Sequence, residues 1–453
     1  MGKELVFAAM RHQPVPRAPW VPFCGVHAGY LKGYSAKEVL QDKDKLVESL
    51  LEVNRAYSPD GQPVVFDLQI EAEILGCNLS WVNDSPPMVS SHPLAMEKKV
   101  PCDCMLPGSE DGRLPTILAA MREMKTIIGS TTALYGLITG PFTLASHLRG
   151  TAIFLDMYDD PDYVVSLLHY CSLVGKQMAQ YYIEAGMDVI AFVDPLVSQI
   201  SVDHFEEFLT LPYTDLFADI REKGVFSSFF VCGDATRNIE AMCKCQPDNI
   251  SIDENIDIFK AKEICDRNNV TIGGNIQLTV TMLHGSQQAN MKAVLDILDV
   301  CKTTNLIVSP GCDMPYATPP ENVIAASYAI HHPDETREML IGYDGSLDLS
   351  DIHLTLPDYS NLKRPFVEIF TLDSASCAAC GYMLSMVQSV SSELGDVFDF
   401  KEYKFTVKEN IKRCIEMKVK NLPSLYLNGK LLYSSIIPNK NELIEAIQEV
   451  MQR

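Results

Sequence analysis

The chain has 453 residues, more than one ordinary hydrophobic core accommodates, so two or three domains are expected. A net charge of −22, from 37 Lys and Arg against 59 Asp and Glu, argues against a nucleic-acid partner, because phosphate contacts need a basic surface. With 47% hydrophobic residues, no apolar run of about eighteen and a charged Met1-Gly2-Lys3-Glu4 opening, it reads as globular and cytoplasmic, with no membrane span or export signal.

In chain order, the first 345 residues alternate short apolar runs with amphipathic stretches. Val64–Leu68, Leu134–Ile138, Val189–Val193 and Leu306–Ser309 read as strands, apolar enough to be covered on both faces. Asp160–Glu184 and His204–Glu222 read as helices. Repeated βα units over this length predict a (β/α)₈ TIM barrel in residues 1–345, with a doubly wound open sheet as the competing architecture. Barrel chemistry sits where strands end, and polar groups follow the apolar runs at Asp67, His147, Asp194, Cys232-Gly233-Asp234 and Cys312-Asp313.

Residues 346–364, rich in Gly, Ser, Asp and Pro, read as a linker. Beyond it the pattern restarts as strand Phe366–Phe370, helix Cys377–Leu394, strand Glu402–Phe405 and helix Val407–Met417. A hairpin Ser424–Tyr433 turning at Asn428-Gly429 and a helix Asn441–Gln452 complete a βαβαββα order in residues 365–453.

Fourteen cysteines without an export signal imply a reducing compartment, where thiols are metal ligands, redox groups or core filler. Cys377 and Cys380 open a predicted helix straight after a strand. There the helix dipole and free N–H groups stabilise the thiolate of the first, and the second lies one turn on, able to attack a mixed disulfide. Half of a zinc site is the other reading, although this segment adds only Cys414 and no histidine. Cys102-Asp-Cys104 and Cys243-Lys-Cys245 lack matching second pairs and read as loop and helix cysteines.

Residues 365–453 resemble the thioredoxin and glutaredoxin family, through Cys377-Ala-Ala-Cys380 and Leu422-Pro423-Ser424. The resemblance implies a small thioredoxin-like α/β domain with Cys377 attacking, Cys380 resolving and a cis Pro423 lining the substrate groove. The Trp-Cys-Gly-Pro-Cys of typical thioredoxins is absent.

Residues 5–335 resemble the uroporphyrinogen decarboxylase superfamily, which includes corrinoid-dependent methyltransferases. The resemblance is carried by Arg17-Ala-Pro-Trp20, Phe66-Asp-Leu-Gln-Ile-Glu-Ala-Glu73, Gly140-Pro-Phe-Thr-Leu-Ala-Ser146, Val231-Cys-Gly-Asp234 and Pro310-Gly-Cys-Asp-Met-Pro315. The decarboxylases' N-terminal arginines, which grip substrate carboxylates, are replaced by Cys24-Gly-Val-His27-Ala-Gly-Tyr30, and His147 stands where they place a tyrosine. Uroporphyrinogen decarboxylation is therefore not expected, since buried anions need cations.

The methyltransferase branch holds zinc with His-x-Cys-Gly and a later Gly-Cys. By that resemblance Cys232 and Cys312 are metal ligands, but Phe230 replaces the histidine. His27, His147, Glu71 and Asp234 are the candidates for a third ligand, with His27 favoured. His147 and Asp194 are the candidate catalytic residues of the barrel, and Asp67 and Glu71 candidate substrate-binding residues. The combined expectation is methyl transfer between a corrinoid protein and a small thiol or other methyl-group substrate, assisted by zinc, with the fused module serving a thiol redox partner. The alternatives are a thiol–disulfide oxidoreductase in which Cys232 and Cys312 exchange electrons with Cys377 and Cys380, or a non-catalytic binding barrel carrying a redox domain.

Overall fold

Continuous apolar runs have no exposed face on which to place water, so they form parallel strands covered by helices on one side and by each other on the other. In the computed structural model, which describes residues 2–343, 349–375, 377–395 and 397–451, that is what the first part of the chain does. Backbone contacts divide the chain into Met1–Ser346 and Leu347–Arg453.

In the first unit the strands are β1 (Gly61–Val65), the two-residue antiparallel pair β2 (Leu79–Ser80) and β3 (Met88–Val89), and then β4 (Ala133–Thr139), β5 (Val189–Val193), β6 (Phe226–Phe230), β7 (Asn249–Ser251), β8 (Thr271–Ile276) and β9 (Leu306–Pro310). Seven of them form one parallel sheet in the order β1-β4-β5-β6-β7-β8-β9. The segment around Trp20 bridges its two ends. Val21 N donates to Val308 O at 3.0 Å and Val308 N to Pro19 O at 2.9 Å, while Trp20 O accepts from Asp60 N at 2.9 Å. Asp60 fixes this segment, accepting from Trp20 N at 2.8 Å and from both Arg17 Nη atoms at 2.6 and 2.9 Å. The result is a curled parallel sheet of the TIM-barrel-like kind.

Alternate residues of the strands point inward. Ala133, Tyr135 and Leu137 from β4, and Val189, Ala191 and Val193 from β5, meet Val21, Phe23, Phe66, Phe230 and Ile307 in one cluster. Cys232 and Cys312 pack against it. The helices Leu114–Ile128, Pro161–Glu184, Ile258–Arg267 and Gln287–Cys301 alternate with the strands. The expected helix His204–Glu222 is two helices, Val202–Phe208 and Thr210–Glu222. Pro212 has no N–H to give Phe208 O, so the first helix cannot continue through it.

In the second unit, β10 (Phe366–Thr371), β11 (Asp399–Lys404), β12 (Ser424–Leu427) and β13 (Lys430–Ser434) alternate with helices Ala378–Leu394, Lys408–Glu416 and Lys440–Met451. The sheet order is β11-β10-β12-β13, with β10 parallel to β11 and antiparallel to β12. Asn428 and Gly429 turn the hairpin with φ of 48° and 75°, the left-handed values that Asn-Gly tolerates. One sheet face buries Val367, Ile369, Met383, Val387, Leu425 and Ile447. The other holds a buried ion pair, Glu368 with Arg413, whose guanidinium lies 4.2 Å from the Tyr403 ring centroid.

The described part of the expected linker belongs to this second unit. Tyr359 OH donates to Glu368 Oε2 at 2.6 Å and Lys412 Nζ to Leu349 O at 3.2 Å. Residues 344–348 lie outside the described residues.

Candidate active site

The ends of β6 and β9 carry the two barrel cysteines. Cys232 follows β6 by two residues and Cys312 follows β9 by two, 80 positions apart in sequence, and the curled sheet brings their Cα atoms to 6.0 Å with the sulfurs joined as a disulfide. Phe230 lies two residues before Cys232 in an extended segment and so shares its side of the sheet. Its ring packs 4.6 Å from that of Phe23 and 5.8 Å from that of Phe66, centroid to centroid. The position where the methyltransferase branch carries histidine is thus a fully buried aromatic filling the barrel interior.

Carboxylates surround the loops that carry the two sulfurs. Asp253, just past β7, accepts from Gly233 N, the residue after Cys232, at 2.8 Å, and from Asn255 Nδ2 at 2.6 Å. Glu254 accepts from Leu278 N. Burial raises the proton affinity of both, with the Asp234 charge adding to the rise at Asp253 and the Asp253 charge to that at Glu254. Asp313, next to Cys312, accepts from Gly25 N at 2.6 Å. Desolvation pushes its pKa up to about 8, with the Asp67 charge adding to the rise. A Cβ at Gly25 would collide with this carboxylate, so only glycine allows the approach. Among the described ion pairs, none includes Asp253, Glu254 or Asp313.

The remaining expected site residues are placed as follows. Asp67 is buried and paired with Arg113 at 2.5 Å, and Arg113 also reaches Glu73 at 2.7 Å. Glu71 is buried and accepts from Thr139 Oγ1 at 2.7 Å; burial outweighs that bond and pushes its pKa up to about 7.

Asp194, expected as a catalytic group, is fully buried and surrounded by donors. It accepts from Phe142 N at 3.0 Å, Thr143 N at 2.9 Å, Thr143 Oγ1 at 2.6 Å and Tyr213 OH at 2.6 Å. These contacts tie the start of helix Pro141–Arg149 to the end of β5. His147, the other expected catalytic residue, is buried in the same helix. Burial, with the nearby His92, lowers its pKa to about 3, so it is a neutral imidazole at physiological pH. His27, expected as a metal ligand, uses both ring nitrogens inside the fold. Nδ1 donates to Tyr316 O at 2.9 Å, which leaves Nε2 to accept from Tyr57 OH at 2.7 Å. Burial lowers its pKa to about 4.

Asp253, Glu254 and Arg113 were not among the expected site residues. The first two carry the same signal that marked Asp67 and Asp194, an acidic residue after an apolar run, but β7 is only three residues long and Asn249-Ile-Ser does not stand out. Among the described residues, no group of three or more His, Cys, Asp or Glu is arranged to hold a metal with the two cysteines joined. No helix among them is long and apolar enough to cross a membrane.

In the second unit Cys377 is the N-cap of helix Ala378–Leu394, half-buried, and its Sγ accepts from Cys380 N at 3.4 Å. Cys380 is fully buried and accepts from Leu372 N at 3.3 Å. Burial first, then the neighbouring Cys377, raises its pKa well above the usual thiol value. The Leu422–Pro423 peptide is cis.

The family model described as uroporphyrinogen decarboxylase (URO-D) matches residues 1–332. The chain belongs to the uroporphyrinogen decarboxylase family. Within it, the chain is 29% identical over 333 residues to the methylcobamide:CoM methyltransferase MtbA of Methanosarcina acetivorans, covering 71% of this chain and 95% of that one. It is 25% identical over 340 residues to a uroporphyrinogen decarboxylase of Picosynechococcus, covering 70% and 94%. A solved methyltransferase from Methanosarcina mazei shares the fold at a TM-score of 0.66, with 22% identity over 75% of this chain and 99% of that one. The family segment thus ends before the second unit begins. The stretch that the resemblance aligns with the decarboxylases' arginines is here the short helix His27–Tyr30 and its approach, in which His27, Ala28 and Gly29 are buried, and Arg113 is already paired with Asp67 and Glu73.

Proposed function

We infer that the protein is a methyltransferase of this family, moving a methyl group between a corrinoid carried by a partner protein and a small thiol. The observation that carries the reading is the convergence of Cys232 and Cys312 at one mouth, bordered by carboxylates that have no cationic partner among the described ion pairs. Like charges held together in a poorly solvated site are costly unless protonated or met by a cation. With the disulfide open, two thiolates and these carboxylates make a donor set that suits zinc. Cys232 and Cys312 would be the sulfur ligands, and Asp253, tied to the Cys232 loop, the oxygen ligand in place of the family's histidine. His27 is not part of this set, because Tyr57 and Tyr316 already hold its nitrogens. A bound zinc supplies Lewis acidity that lowers the pKa of an acceptor thiol. The chain's own contribution is to hold the sulfurs together at the ends of β6 and β9, with β7 and β8 between them in the curled sheet, and to exclude water from below with the aromatic cluster of Phe23, Phe66 and Phe230.

The second unit is read as a thioredoxin-like module. Its βαβαββα order and the half-buried sulfur capping a helix, with a fully buried sulfur one turn on, support attack by Cys377 and resolution by Cys380. Its role would be to deliver two electrons to a disulfide, Cys232–Cys312 included, returning two thiols and leaving Cys377 and Cys380 oxidised. The disulfide at the mouth also favours a second reading, in which the barrel cysteines are themselves redox groups of a thiol oxidoreductase.

Titration of reduced protein with cobalt(II) separates the two. The methyltransferase reading expects a thiolate-to-metal charge-transfer band, lost in Cys232→Ser and Cys312→Ser and weakened in Asp253→Asn. Absence of the band in the reduced wild type would remove the metal site and leave the oxidoreductase.

A further inference from the structure

Two more cysteines, outside both sites, are joined in the structure. Cys102 and Cys104 flank Asp103 in a loop on the first unit, both are exposed, and they form a disulfide with Cα atoms 5.2 Å apart. We propose that Cys102–Cys104 is a reversible surface thiol–disulfide site that exchanges electrons with free dithiols. The inference does not rest on the methyltransferase reading.

Three observations carry it. First, the bond encloses one intervening residue, so it restricts the unfolded chain far less than a bond closing a long loop, and structural stapling does not account for it. Second, both sulfurs lie at the surface within reach of an incoming thiolate, and exposed disulfides are the labile ones. By contrast, nine of the ten cysteines outside the two disulfides are buried, and the tenth, Cys377, is half-buried. Third, the loop is held independently of its disulfide. Tyr163 OH donates to Lys99 O at 3.4 Å, Tyr170 OH to Met105 O at 3.1 Å and Tyr181 OH to Pro107 O at 3.0 Å, all from helix Pro161–Glu184. Three hydroxyls on the flanking carbonyls keep the two sulfurs adjacent when the bond is open, which favours closing it again.

The exchange is balanced as follows. One thiolate of a dithiol attacks a sulfur of the Cys102–Cys104 bond; that bond breaks, a mixed disulfide forms, and the departing thiolate takes a proton. The second thiol of the reagent then attacks the mixed disulfide and loses its proton. The products are two cysteine thiols and the oxidised reagent, with two electrons transferred. Oxidised glutathione, a disulfide, drives the reverse.

The test uses the full chain, in wild type and in the Cys377→Ser/Cys380→Ser double variant, equilibrated across a series of dithiothreitol and oxidised glutathione mixtures. Thiols are then alkylated, and the tryptic peptide spanning residues 100–113, which contains both cysteines, is weighed. The expected result is a step from no alkyl groups to two over a narrow range of mixtures, the same in both proteins. In Cys102→Ser, Cys104 should instead carry one glutathione in oxidising mixtures. Two alkyl groups in every mixture would show that the bond does not form, and none in any mixture that it is inert; either overturns the proposal. A step seen in wild type but lost in the double variant would also overturn it, by assigning the electrons to the chain's own tail.

Discussion

The sulfur pair at the barrel mouth and the pair at the start of helix Ala378–Leu394 solve the same electrostatic problem in opposite ways. A thiolate needs compensation when it leaves water. Cys377 finds it locally, from the N–H groups at a helix start, and Cys380 sits three residues away by the geometry of one turn. Cys232 and Cys312 come from strands 80 residues apart and lie beside buried carboxyls that hold their protons more tightly than free ones, Asp313 next to Cys312 and Asp253 and Glu254 just past β7. Such surroundings disfavour free thiolates and favour either a covalent S–S bond or a cation shared with the carboxylates. On the proposed reading, the tail pair suits exchange and the barrel pair suits neutralisation.

The largest effect that would sharpen this contrast is loss of the tail's chemistry. Cys377→Ser should reduce disulfide reductase activity of the full chain to background, while Cys380→Ser should accumulate a mixed disulfide on Cys377 visible by intact mass. Retained turnover in Cys377→Ser would make the two pairs equivalent after all. Next, the buried pair under the tail sheet should be expensive to break. Arg413→Ala leaves Glu368, 0% exposed, without its cation, and should cost the second unit about 3–5 kcal/mol in urea unfolding.

A pH effect of similar size belongs to the barrel. Folded Glu71 keeps its proton up to about pH 7, whereas the unfolded carboxyl releases it near 4.5. The folded state therefore binds more protons in that window, and stability falls as pH rises through it, by up to about 3 kcal/mol from this residue. Comparing unfolding of wild type and Glu71→Gln at pH 5 and pH 8 should show the slope in the first and its reduction in the second. The smallest effect concerns His27. His27→Ala should leave the cobalt charge-transfer band in place, because its nitrogens are engaged by Tyr57 and Tyr316. Loss of the band in that variant would restore His27 as a ligand.

What could be read from the sequence follows the same division between local and distant. The strands Val189–Val193 and Leu306–Ser309, the latter running one residue further in the structure, the Asn428-Gly429 turn and the Cys377 helix start are each set by neighbours within a few residues, and they lie where the sequence places them. The partners of His27 are 30 and 289 positions away, and no local pattern distinguishes a histidine held by Tyr57 from one free to bind metal. Asp194 was legible as a polar group after a strand. Its four donors, drawn from Phe142, Thr143 and Tyr213, exist only once β4, β5 and the following helices are packed. Nothing local in the sequence marks Arg113, whose two carboxylate partners lie 46 and 40 residues earlier.

Tyr359 has a practical bearing on how the protein can be divided. Its hydroxyl occupies Glu368 Oε2, and its ring lies over Gly429 at the hairpin turn, closely enough that a Cβ there would collide with it. A fragment starting at residue 365 discards this lid and leaves one carboxylate oxygen of a buried ion pair open, although the strands and helices of the second unit are all present. A fragment starting at residue 349 retains it. The natural cleavage point between the two halves therefore lies upstream of the proline- and aspartate-rich stretch, and a protease acting within residues 349–363 would weaken the piece it releases rather than simply free it.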